Sequence, residues 1–356
     1  MKEKVKVAII GCGTIANSAH IPAYMASERA EIKYFCDIIP EKADAAVVKY
    51  GCGKAIYNYK EILDDPELDC VSVCTHNDMH SVISIDFLKH GKDVLCEKPA
   101  ARILSEALEM QKTAHETGRI LSIGVCNRYS RAVNKIKSLI EEGALGNIYH
   151  VYASFRAHRS IPGIGGDFTR MAASGGGSLI DWGVHYIDLI LYCCGEPRPV
   201  TASGEAFCVL GKNIKDYVYN SMWAEDTAEM DGVYDVDDSV TGLIRTADGP
   251  VISFTGAWAQ NIGVSDTFID FMGDKGGIRF TYCGGFTLYS TNGDMLTETV
   301  FDFNPNDMHH DEVIDFVECV AKGERNRNDI DYAVATSKIM EAIYSSSAEH
   351  REMVIE

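Results

Sequence analysis

Short apolar runs alternate with amphipathic segments from residue 5 to about residue 125, and this alternation constrains the fold more than any other feature of the chain. Five apolar runs have the length and composition of strands, at residues 5–10, 31–36, 69–74, 92–96 and 119–124. Helical spacing of apolar residues occurs at 41–51, 80–92 and 105–118, and two of these segments end on glycine. Continuous apolar strands separated by helices are typical of a parallel sheet covered on both faces. The pattern predicts a doubly wound α/β domain over residues 1–126.

A glycine turn follows the first of these strands. Gly11, Gly13 and Ala16 have the spacing G-x-G-x-x-A between a strand and a helical segment. Gly11 permits a tight turn, Gly13 lets the backbone approach a pyrophosphate, and the small Ala16 lets helix and strand pack closely. Phosphates bind backbone N–H groups at the start of such a helix, which makes Thr14 and Ile15 candidate contacts. A tight turn with no ligand is the alternative, but the context favours a dinucleotide site.

The end of the second strand indicates which dinucleotide binds. Asp37 stands there, about 20 residues after the turn. A carboxylate in this position hydrogen-bonds the adenosine ribose hydroxyls and repels a 2′-phosphate. Ile38 and Ile39 follow, so no cation is at hand to pair with such a phosphate. We therefore expect NAD rather than NADP.

Two later strands end in polar residues. Glu97 and Lys98 follow the strand that ends at Cys96, and the polar segment 75–77 follows the strand before it. Ligands of open parallel sheets bind beyond the carboxyl ends of the strands, so both segments arrive on the cofactor side. Hydride transfer needs one group to hold the reacting oxygen and another to move its proton, and a lysine here can supply the first. A surface Glu-Lys pair beside a turn is the alternative, and spacing alone does not decide between them.

The pattern changes after about residue 126. A helical stretch at 131–146 precedes runs with two-residue alternation, at 147–158, 237–247, 250–260, 266–273 and 276–284. Such runs, bounded by Gly, Asp and Asn, predict a mostly antiparallel open-faced sheet in a second, α+β domain over residues 127–356. Helices, including a long one at 331–350, would cover one face. Tyr, Phe, Trp and Val recur along these strands, and the other face is expected to join subunits into a homo-oligomer.

The segment 175–188 carries the chemistry of this second half. Three glycines open a helix, so that backbone can approach a ligand closely, and Asp181 and His185 share one helix face at i, i+4. Histidine titrates near neutrality, as a base that accepts a hydroxyl proton must. The carboxylate one turn away can bind a neighbouring sugar hydroxyl. A solvated Asp–His pair is the alternative, and the glycine run argues against it.

These motifs together resemble the glucose–fructose oxidoreductase and inositol dehydrogenase family (Gfo/Idh/MocA). The G-x-G-x-x-A turn, CTHNDMH at 74–80, CEKP at 96–99 and GGGSLIDWGVHYID at 175–188 occur in the family's order and span nearly the whole chain. The resemblance implies that Lys98 is catalytic, that His185 is the general base, and that Asp181 binds substrate and supports it. It also implies a Lys98–Pro99 bond that is often cis, and cofactor contacts from a further set of residues: Glu97 at the nicotinamide ribose, with Thr75, Asn77 and His80.

One position departs from the family pattern. His76 stands where the family usually has proline, in a segment that packs near the nicotinamide. Cofactor binding should survive this change, but the wall becomes polar there. His76 is thus a further candidate contact for the substrate.

The expected activity follows from these roles. We expect an NAD-dependent oxidoreductase that acts on a secondary hydroxyl or ketone of a sugar, glycoside or cyclic polyol, with His185 taking the proton and Lys98 stabilising the alkoxide. Some relatives keep NAD bound and cleave glycosidic bonds by transient oxidation and elimination, which is the alternative enzyme. A non-catalytic NAD-binding regulator is the third reading, and the joint presence of Lys98, Asp181 and His185 argues against it.

Residues that would bind the substrate ring are harder to select. Aromatic and polar side chains near the predicted strand ends give four candidates: Tyr129, Arg156, His158 and Trp258. For each, a packed strand residue or a surface charge is the alternative. The insert 215–238 is longer than a plain strand connection. It would either cap the substrate or meet a neighbouring subunit.

Composition excludes other classes of function. The formal net charge of −19 over 356 residues argues against nucleic acid or an anionic membrane as a partner. No apolar run approaches the roughly 18 residues of a membrane span, and the N-terminus enters a strand without a signal-peptide pattern, so we expect a cytoplasmic protein.

The twelve cysteines do not have metal-site or disulfide spacing. Cys193 and Cys194 are adjacent, and the sequence contains no C-x-x-C. Six others fall in or beside apolar runs, where thiols pack as small hydrophobic groups: Cys12, Cys36, Cys70, Cys74, Cys96 and Cys126. His76 and His80 lack a third ligand of suitable spacing. We expect reduced thiols and no metal.

Overall fold

The computed structural model describes residues 3–221, 224 and 227–356. The chain divides into two units. The first runs to Tyr129 and includes Asp307–Val334, and the second comprises Ser130–Asn306 and Ala335–Glu356. Each unit contains one sheet, and the α/β class predicted from the sequence is confirmed.

The first unit contains a parallel sheet in the order β3-β2-β1-β4-β5-β6. Its strands are β1 (Val5–Ile10), β2 (Ala30–Cys36), β3 (Lys54–Ile56), β4 (Cys70–Val73), β5 (Asp93–Glu97) and β6 (Leu121–Gly124). Strand order reverses between β1 and β4, which is where doubly wound sheets bind ligands. The five strands predicted from apolar runs are present. The short edge strand β3 was not predicted, because its residues are exposed or only partly buried.

Helices cover both faces of this sheet. They are α1 (Ile21–Ala26), α2 (Pro40–Tyr50), α3 (Asn77–Lys89) and α4 (Leu104–Thr117). Alternate strand residues pack in opposite directions: Val71 and Val94 lie in one core with α3 and α4, and Val7 and Ile9 lie in another with α1. This two-sided burial explains why the strands are apolar throughout. Helices α2 and α4 end at Gly51 and Gly118 in the left-handed conformation, with φ of +65° and +62°.

The second unit contains a nine-stranded sheet. In chain order its strands are β7 (Ile148–Arg156), β8 (Pro199–Phe207), β9 (Ser239–Thr246), β10 (Val251–Ala257), β11 (Asp266–Gly273), β12 (Gly276–Thr281), β13 (Phe286–Asn292), β14 (Met295–Phe301) and β15 (Met353–Val354). The spatial order is β14-β13-β12-β11-β7-β10-β9-β8-β15. Strands β7 and β10 pair in parallel, and the other neighbours pair antiparallel. The predicted, mostly antiparallel sheet is therefore confirmed.

One face of this sheet packs against helices. The helices are α5 (Arg131–Glu141), α7 (Val184–Cys193) and α9 (Ile330–Glu349), which begins within the first unit; the unit also contains the short α6 (Met171–Ser174). Val151, Ala153 and Phe155 of β7 lie in one core with side chains of α5, α7 and α9. The opposite face carries Tyr152 and Phe268, whose rings meet edge-on with centroids 5.7 Å apart. A homo-oligomer formed through that face stays a prediction.

Helix α8 (Met308–Lys322) packs with the first unit, although it follows the second sheet in sequence. Its buried residues Val313, Phe316 and Val317 lie in the core that contains Val7 and Ile9 of β1. The sequence-based division placed all of 127–356 in one domain and differs from the structural grouping at residues 127–129 and 307–334. An amphipathic pattern predicts an apolar helix face but not which sheet that face covers.

Cysteine burial agrees with the sequence interpretation. All twelve cysteines are free, and the six that were assigned to apolar runs are buried. Within residues 3–221, 224 and 227–356, no helix has both the length and the apolar character that a membrane span requires. The same described residues contain no cluster of three or more His, Cys, Asp or Glu side chains suited to a metal ion.

Candidate active site

The glycine turn after β1 contains two glycines with different roles. Gly11 has φ of +91°, and a Cβ there would lie 2.6 Å from the Cys74 carbonyl oxygen, so only glycine fits. A Cβ at Gly13 would meet nothing within 4 Å. The helix begins at Thr14, and the Asn17 N–H donates to the Gly13 carbonyl at 3.1 Å. The first N–H groups of this helix therefore border the open space beside Gly13, and a pyrophosphate fits there.

Asp37 lies beside the same turn. Its Oδ2 accepts a hydrogen bond from the Cys12 N–H at 2.8 Å, and its Oδ1 accepts one from the Ile39 N–H at 2.9 Å. Burial, together with the Asp37 charge, raises the pKa of Cys12 to about 12, so the thiol stays neutral. Ile38 is 88% exposed, so an apolar side chain borders the carboxylate on the solvent side. This geometry fits an adenosine ribose at Asp37.

A buried ion pair anchors the end of β5. Glu97 is buried, and its Oε1 lies 2.8 Å from Nε2 of His20. Its Oε2 accepts a hydrogen bond from the Lys98 N–H at 3.1 Å. On the far side of the ring, His20 Nδ1 lies 2.7 Å from the hydroxyl oxygen of Ser72, to which the Tyr24 hydroxyl also donates, at 3.4 Å. The carboxylate is thereby tied both to a neighbouring strand and to the backbone of Lys98.

The pKa values of this pair follow from the contacts. Burial raises the pKa of Glu97, but hydrogen bonding and charge from His20 outweigh it and lower the pKa to about 2. Burial lowers the pKa of His20, but contacts with Cys74 and Glu97 outweigh it and hold the value well above the ordinary 6.5. Both groups are charged at neutral pH, and each desolvated charge is paired.

Two residues of this cluster were not singled out from the sequence. His20 lies on the helix that follows the glycine turn, 77 residues before Glu97. His309 lies in the first turn of α8, where burial lowers its pKa and the charges of Glu97, His20 and Lys98 act on it. No local pattern connects positions so distant in sequence. The signal that could have found His20 is its place on the predicted cofactor-binding helix.

Lys98 itself is partly buried, and its peptide bond to Pro99 is cis, as the family resemblance implies. His80 contacts this turn through its imidazole ring. Its Nδ1 lies 2.8 Å from the Pro99 carbonyl oxygen, and its Nε2 lies 3.1 Å from that of Thr75. The His80 side chain is fully buried, and its pKa is lowered by that burial. The family resemblance predicts that His80 contacts the cofactor, and the burial of its side chain is not consistent with that role. His80 instead connects the loops after β4 and β5.

The other predicted residues of the β4 end lie at the same edge of the sheet. Strand β4 pairs with both β1 and β5, so its carboxyl end lies between the glycine turn and Lys98. Thr75 and Asn77 are partly buried there, and His76 is exposed and precedes α3. The first unit therefore gathers every predicted cofactor residue at one sheet edge.

In the second unit, Asp181 lies on a π-helical segment, Leu179–Gly183, that leads directly into α7. Asp181 is buried, and its Oδ2 accepts a hydrogen bond from the indole N–H of Trp258 at 3.0 Å. His185 follows one turn later and is partly buried. Interruptions of this kind within helices are frequent at functional sites.

Trp258 does not have the predicted role. Its side chain is 0% exposed, so its face is closed to a sugar ring. It lies in a small core with Ile161, Ile164, Tyr234 and others, and its N–H holds Asp181. The correction follows from burial, which the alternating strand pattern could not give for a residue just beyond the end of β10.

Tyr129 and Arg156 also differ from the prediction. Tyr129 is buried in the first unit, where its hydroxyl donates to Asp315 at 2.8 Å, so it is not available to a substrate. Arg156 forms an ion pair with Asp266 at 2.8 Å. Its neighbour Phe155 packs towards α7, so Arg156 lies on the opposite face of the sheet from Asp181. Of the four residues predicted to bind the substrate ring, His158, which is partly buried, remains a candidate.

The glycine run before Asp181 fits the chain's own backbone. A Cβ at Gly176 would overlap the Tyr344 hydroxyl, and one at Gly177 would overlap the Asp237 carbonyl oxygen. The expectation that these glycines admit a ligand is therefore not what the structure shows. The missing side chains instead leave room for Tyr344 and Asp237, two residues of the same unit that are distant in sequence.

The predicted insert 215–238 packs along the glycine-rich loop at 161–170. The N–H groups of Glu229, Val233 and Asp235 donate to carbonyls of that loop at 2.8, 3.1 and 3.1 Å. Side chains from both segments form the small core around Trp258. Four residues of the insert, Met222, Trp223, Glu225 and Asp226, lie outside the described residues. Within its unit, the insert builds the surroundings of Trp258 and, through it, of Asp181.

Comparison with known proteins places this arrangement in a class. Residues 5–125 match the model of the oxidoreductase family with an NAD-binding Rossmann fold, and residues 133–279 match the GFO/IDH/MocA C-terminal domain. The first unit is thus an NAD-binding domain of an oxidoreductase. The chain belongs to the Gfo/Idh/MocA family.

Individual relatives align over nearly the whole chain. D-glucoside 3-dehydrogenase of Escherichia coli is 28% identical over 344 residues, which cover 96% of this chain and 95% of that protein. Inositol 2-dehydrogenase of Rhizobium meliloti is 24% identical, with 99% of each chain covered. The structure of levoglucosan dehydrogenase with NADH and levoglucosan superimposes with a TM-score of 0.86 at 22% identity, covering 99% of each chain, and shows the common fold.

The two glycines of the first turn should respond differently to alanine. Gly11→Ala forces a strained φ and a backbone overlap. We therefore expect it to lower the free energy of unfolding by about 1–3 kcal/mol or more. Gly13→Ala should leave stability nearly unchanged, because its Cβ enters open space, and should weaken NAD binding in a calorimetric titration. Undiminished NAD affinity in Gly13→Ala would show that the pyrophosphate does not lie there.

The His20–Glu97 pair should make stability depend on pH in a defined direction. Because the folded pKa of His20 is raised, its contribution is complete below about pH 6.5 and declines as pH rises towards the folded value. Because the pKa of Glu97 is lowered to about 2, its contribution is complete above its ordinary 4.5 and is lost as pH falls towards 2. The stability difference between the wild type and His20→Gln should therefore be largest near pH 4.5–6.5 and shrink by pH 9 in urea unfolding.

Lys33→Gln provides the matched control for this measurement. Lys33 pairs with Asp65 at 2.7 Å, and a lysine stays charged from pH 5 to about 9. Its effect on stability should stay constant over that range. A His20→Gln effect that is equally flat would contradict the charged pair.

Proposed function

We propose that the protein is an NAD-dependent dehydrogenase that acts on a secondary hydroxyl of a sugar, glycoside or cyclic polyol. The observation that carries the proposal is the pair Asp181 and His185 on one helix, with Asp181 held by the Trp258 indole. A fixed carboxylate one turn from a partly exposed imidazole suits a substrate with two adjacent hydroxyls. The names of the relatives, a glucoside 3-dehydrogenase and an inositol 2-dehydrogenase, support this class of substrate.

Each residue has a defined part in the reaction. His185 accepts the proton of the reacting hydroxyl, a contribution of typically about 10²–10⁴-fold in rate. Asp181 accepts a hydrogen bond from the neighbouring hydroxyl and so orients the ring. The Lys98 ammonium stabilises the negative charge that develops on the reacting oxygen, by up to about 4 kcal/mol at 4 Å in a partly desolvated site. Bound NAD supplies the hydride acceptor, or the donor when the reaction runs in reverse.

The cofactor contacts of the first unit are part of the same proposal. Gly11 permits the turn at which Gly13, Thr14 and Ile15 receive the pyrophosphate, and Asp37 binds the adenosine ribose. Glu97, Thr75 and Asn77 stand beside the nicotinamide ribose. Glu97 already accepts hydrogen bonds from His20 and from the Lys98 N–H, but a carboxylate has about four acceptor positions, which leaves some for a ribose hydroxyl.

Turnover with a substrate panel tests the proposal. The protein would be mixed with NAD+ and a set of inositols, free sugars and glycosides, and NADH absorbance followed. We expect NADH formation with one substrate class, and a fall in kcat of at least about 100-fold in Lys98→Ala and in His185→Ala. Near-normal turnover in both variants would contradict the assignment. Glycoside consumption without NADH, with NAD released on denaturation, would instead indicate the redox-neutral reaction.

Trp258 should affect the reaction through Asp181. Trp258→Phe keeps most of the packing volume and removes the indole N–H, a hydrogen bond to a charged group worth about 1.5–3 kcal/mol. We expect kcat/KM for the substrate to fall roughly 10–100-fold while NAD affinity is retained. Steady-state kinetics of Trp258→Phe, Asp181→Ala and the double variant form the check. Additive losses would mean that Trp258 does not act through Asp181.

A further inference from the structure

A single buried carboxylate receives the start of the helix that carries Asp181 and His185. Asp237 lies at the end of the insert, just before β9, and is 5% exposed. Its Oδ1 accepts a hydrogen bond from the Gly177 N–H at 2.8 Å, and its Oδ2 accepts one from the Leu179 N–H at 3.0 Å. Its backbone carbonyl accepts the Ser178 N–H at 3.0 Å. Three consecutive N–H groups of the helix N-terminus thus bind one residue.

Two side-chain hydroxyls complete this arrangement. Ser178 donates to Oδ2 of Asp237 at 2.7 Å, and Tyr344 of α9 donates to Oδ1 at 2.7 Å. Burial raises the pKa of Tyr344, so the phenol stays protonated and remains a donor. The first turn of the helix therefore has acceptors for the N–H groups that its own carbonyls cannot serve.

The contacts fix position as well as stability. A carboxylate at a helix N-terminus is favoured by the helix dipole, and here it arrives from 58–60 residues away in sequence. A Cβ at Gly177 would overlap the Asp237 carbonyl oxygen, so the glycine is what allows the close approach. Because the N–H donors of residues 177 and 179 and the hydroxyl of residue 178 all converge on one carboxylate, both the rotation and the axial position of the helix are set. Asp181 follows two residues later.

We propose that Asp237 is a positioning residue for the reaction, which holds the helix N-terminus so that Asp181 and His185 face the substrate in the productive orientation. The inference rests on the proposed function, because it assumes that these two side chains act on the substrate. Asp237 is buried against the helix start, and no contact with substrate or cofactor is proposed for it. Its effect is on rate, because a displacement of about 1 Å of reacting groups can cost on the order of 100-fold in rate.

The adjacent residue offers a matched control. Asp238 is also fully buried, and its Oδ2 accepts the N–H groups of Val209, Leu210 and Gly211 at 2.8, 2.5 and 3.0 Å. The Asp238 side chain therefore binds the turn after β8 and not the helix that carries Asp181. Asp237→Asn and Asp238→Asn therefore remove the same charge from neighbouring buried positions, each replacing a carboxylate oxygen with an amide that cannot accept a hydrogen bond.

The experiment compares these variants in the full-length protein. Thermal unfolding, kcat, and KM for NAD+ and for the best substrate of the panel would be measured, with kcat expressed per NAD-binding site so that unfolded protein is not counted. We expect both variants to lose stability. Asp237→Asn should lower kcat roughly 10–100-fold with KM for NAD+ unchanged, and Asp238→Asn should lower kcat less than about threefold.

The outcomes separate this inference from the proposed function. If His185→Ala abolishes turnover but Asp237→Asn and Asp238→Asn have equal kcat, the positioning role is overturned and the proposed function stands. If His185→Ala keeps normal turnover, the proposed function and the positioning role of Asp237 are both contradicted. Should Asp237→Asn not yield folded protein, Ser178→Ala carries the test, since it removes one bond to Asp237. A severalfold loss of kcat is then expected, and a wild-type kcat overturns the inference.

Discussion

Carboxylates, buried or partly buried, that accept backbone hydrogen bonds are the interaction on which the rest of this structure depends. Asp37 accepts the Cys12 N–H of the glycine turn, Glu97 accepts the N–H of Lys98, and Asp237 accepts two N–H groups of a helix start. Removing a carboxylate from water is costly unless it is hydrogen-bonded, and each of these three groups is; Glu97 is in addition paired with His20. Their bonds converge from several directions, so each fixes the backbone beside it. In an acidic chain, these carboxylates are structural members of the site and not only solubilising charge.

Glycine serves this arrangement in two different ways. Gly11 and Gly177 are places where the chain approaches itself too closely for a Cβ, with Cys74 in one case and Asp237 in the other. Gly13 instead faces open space, as a residue beside a bound pyrophosphate should. The same residue type before a helix therefore marks open space at Gly13 and close internal contacts at Gly11 and Gly177. Space around the absent Cβ is what distinguishes the two.

Local pattern predicted most of the first unit. Its strands are continuous apolar runs because both sheet faces are covered, and the glycine turn, Asp37 and Lys98 follow strand ends that sequence can locate. The partners of those residues were not predictable: His20 meets Glu97 across 77 residues, and His309 comes from a helix after the second sheet. In the second unit, alternation predicted an antiparallel sheet but not burial at strand ends. For that reason Trp258 was assigned to a substrate although it is enclosed.

The positions of Lys98, in the first unit, and of Asp181 and His185, in the second, are consequently determined in different ways. Lys98 stands one residue beyond a sheet strand, and Glu97 at the end of that strand holds its backbone N–H, so its position is a local property of β5. Asp181 and His185 lie where a π-helical segment leads into α7, and the start of that helix is held by residues remote in sequence. Asp237, at the end of the insert, binds the helix start, and Trp258, just beyond the end of β10, binds Asp181 from 77 residues away. Under the proposed function, substitutions in the insert would act on the reaction through the helix start.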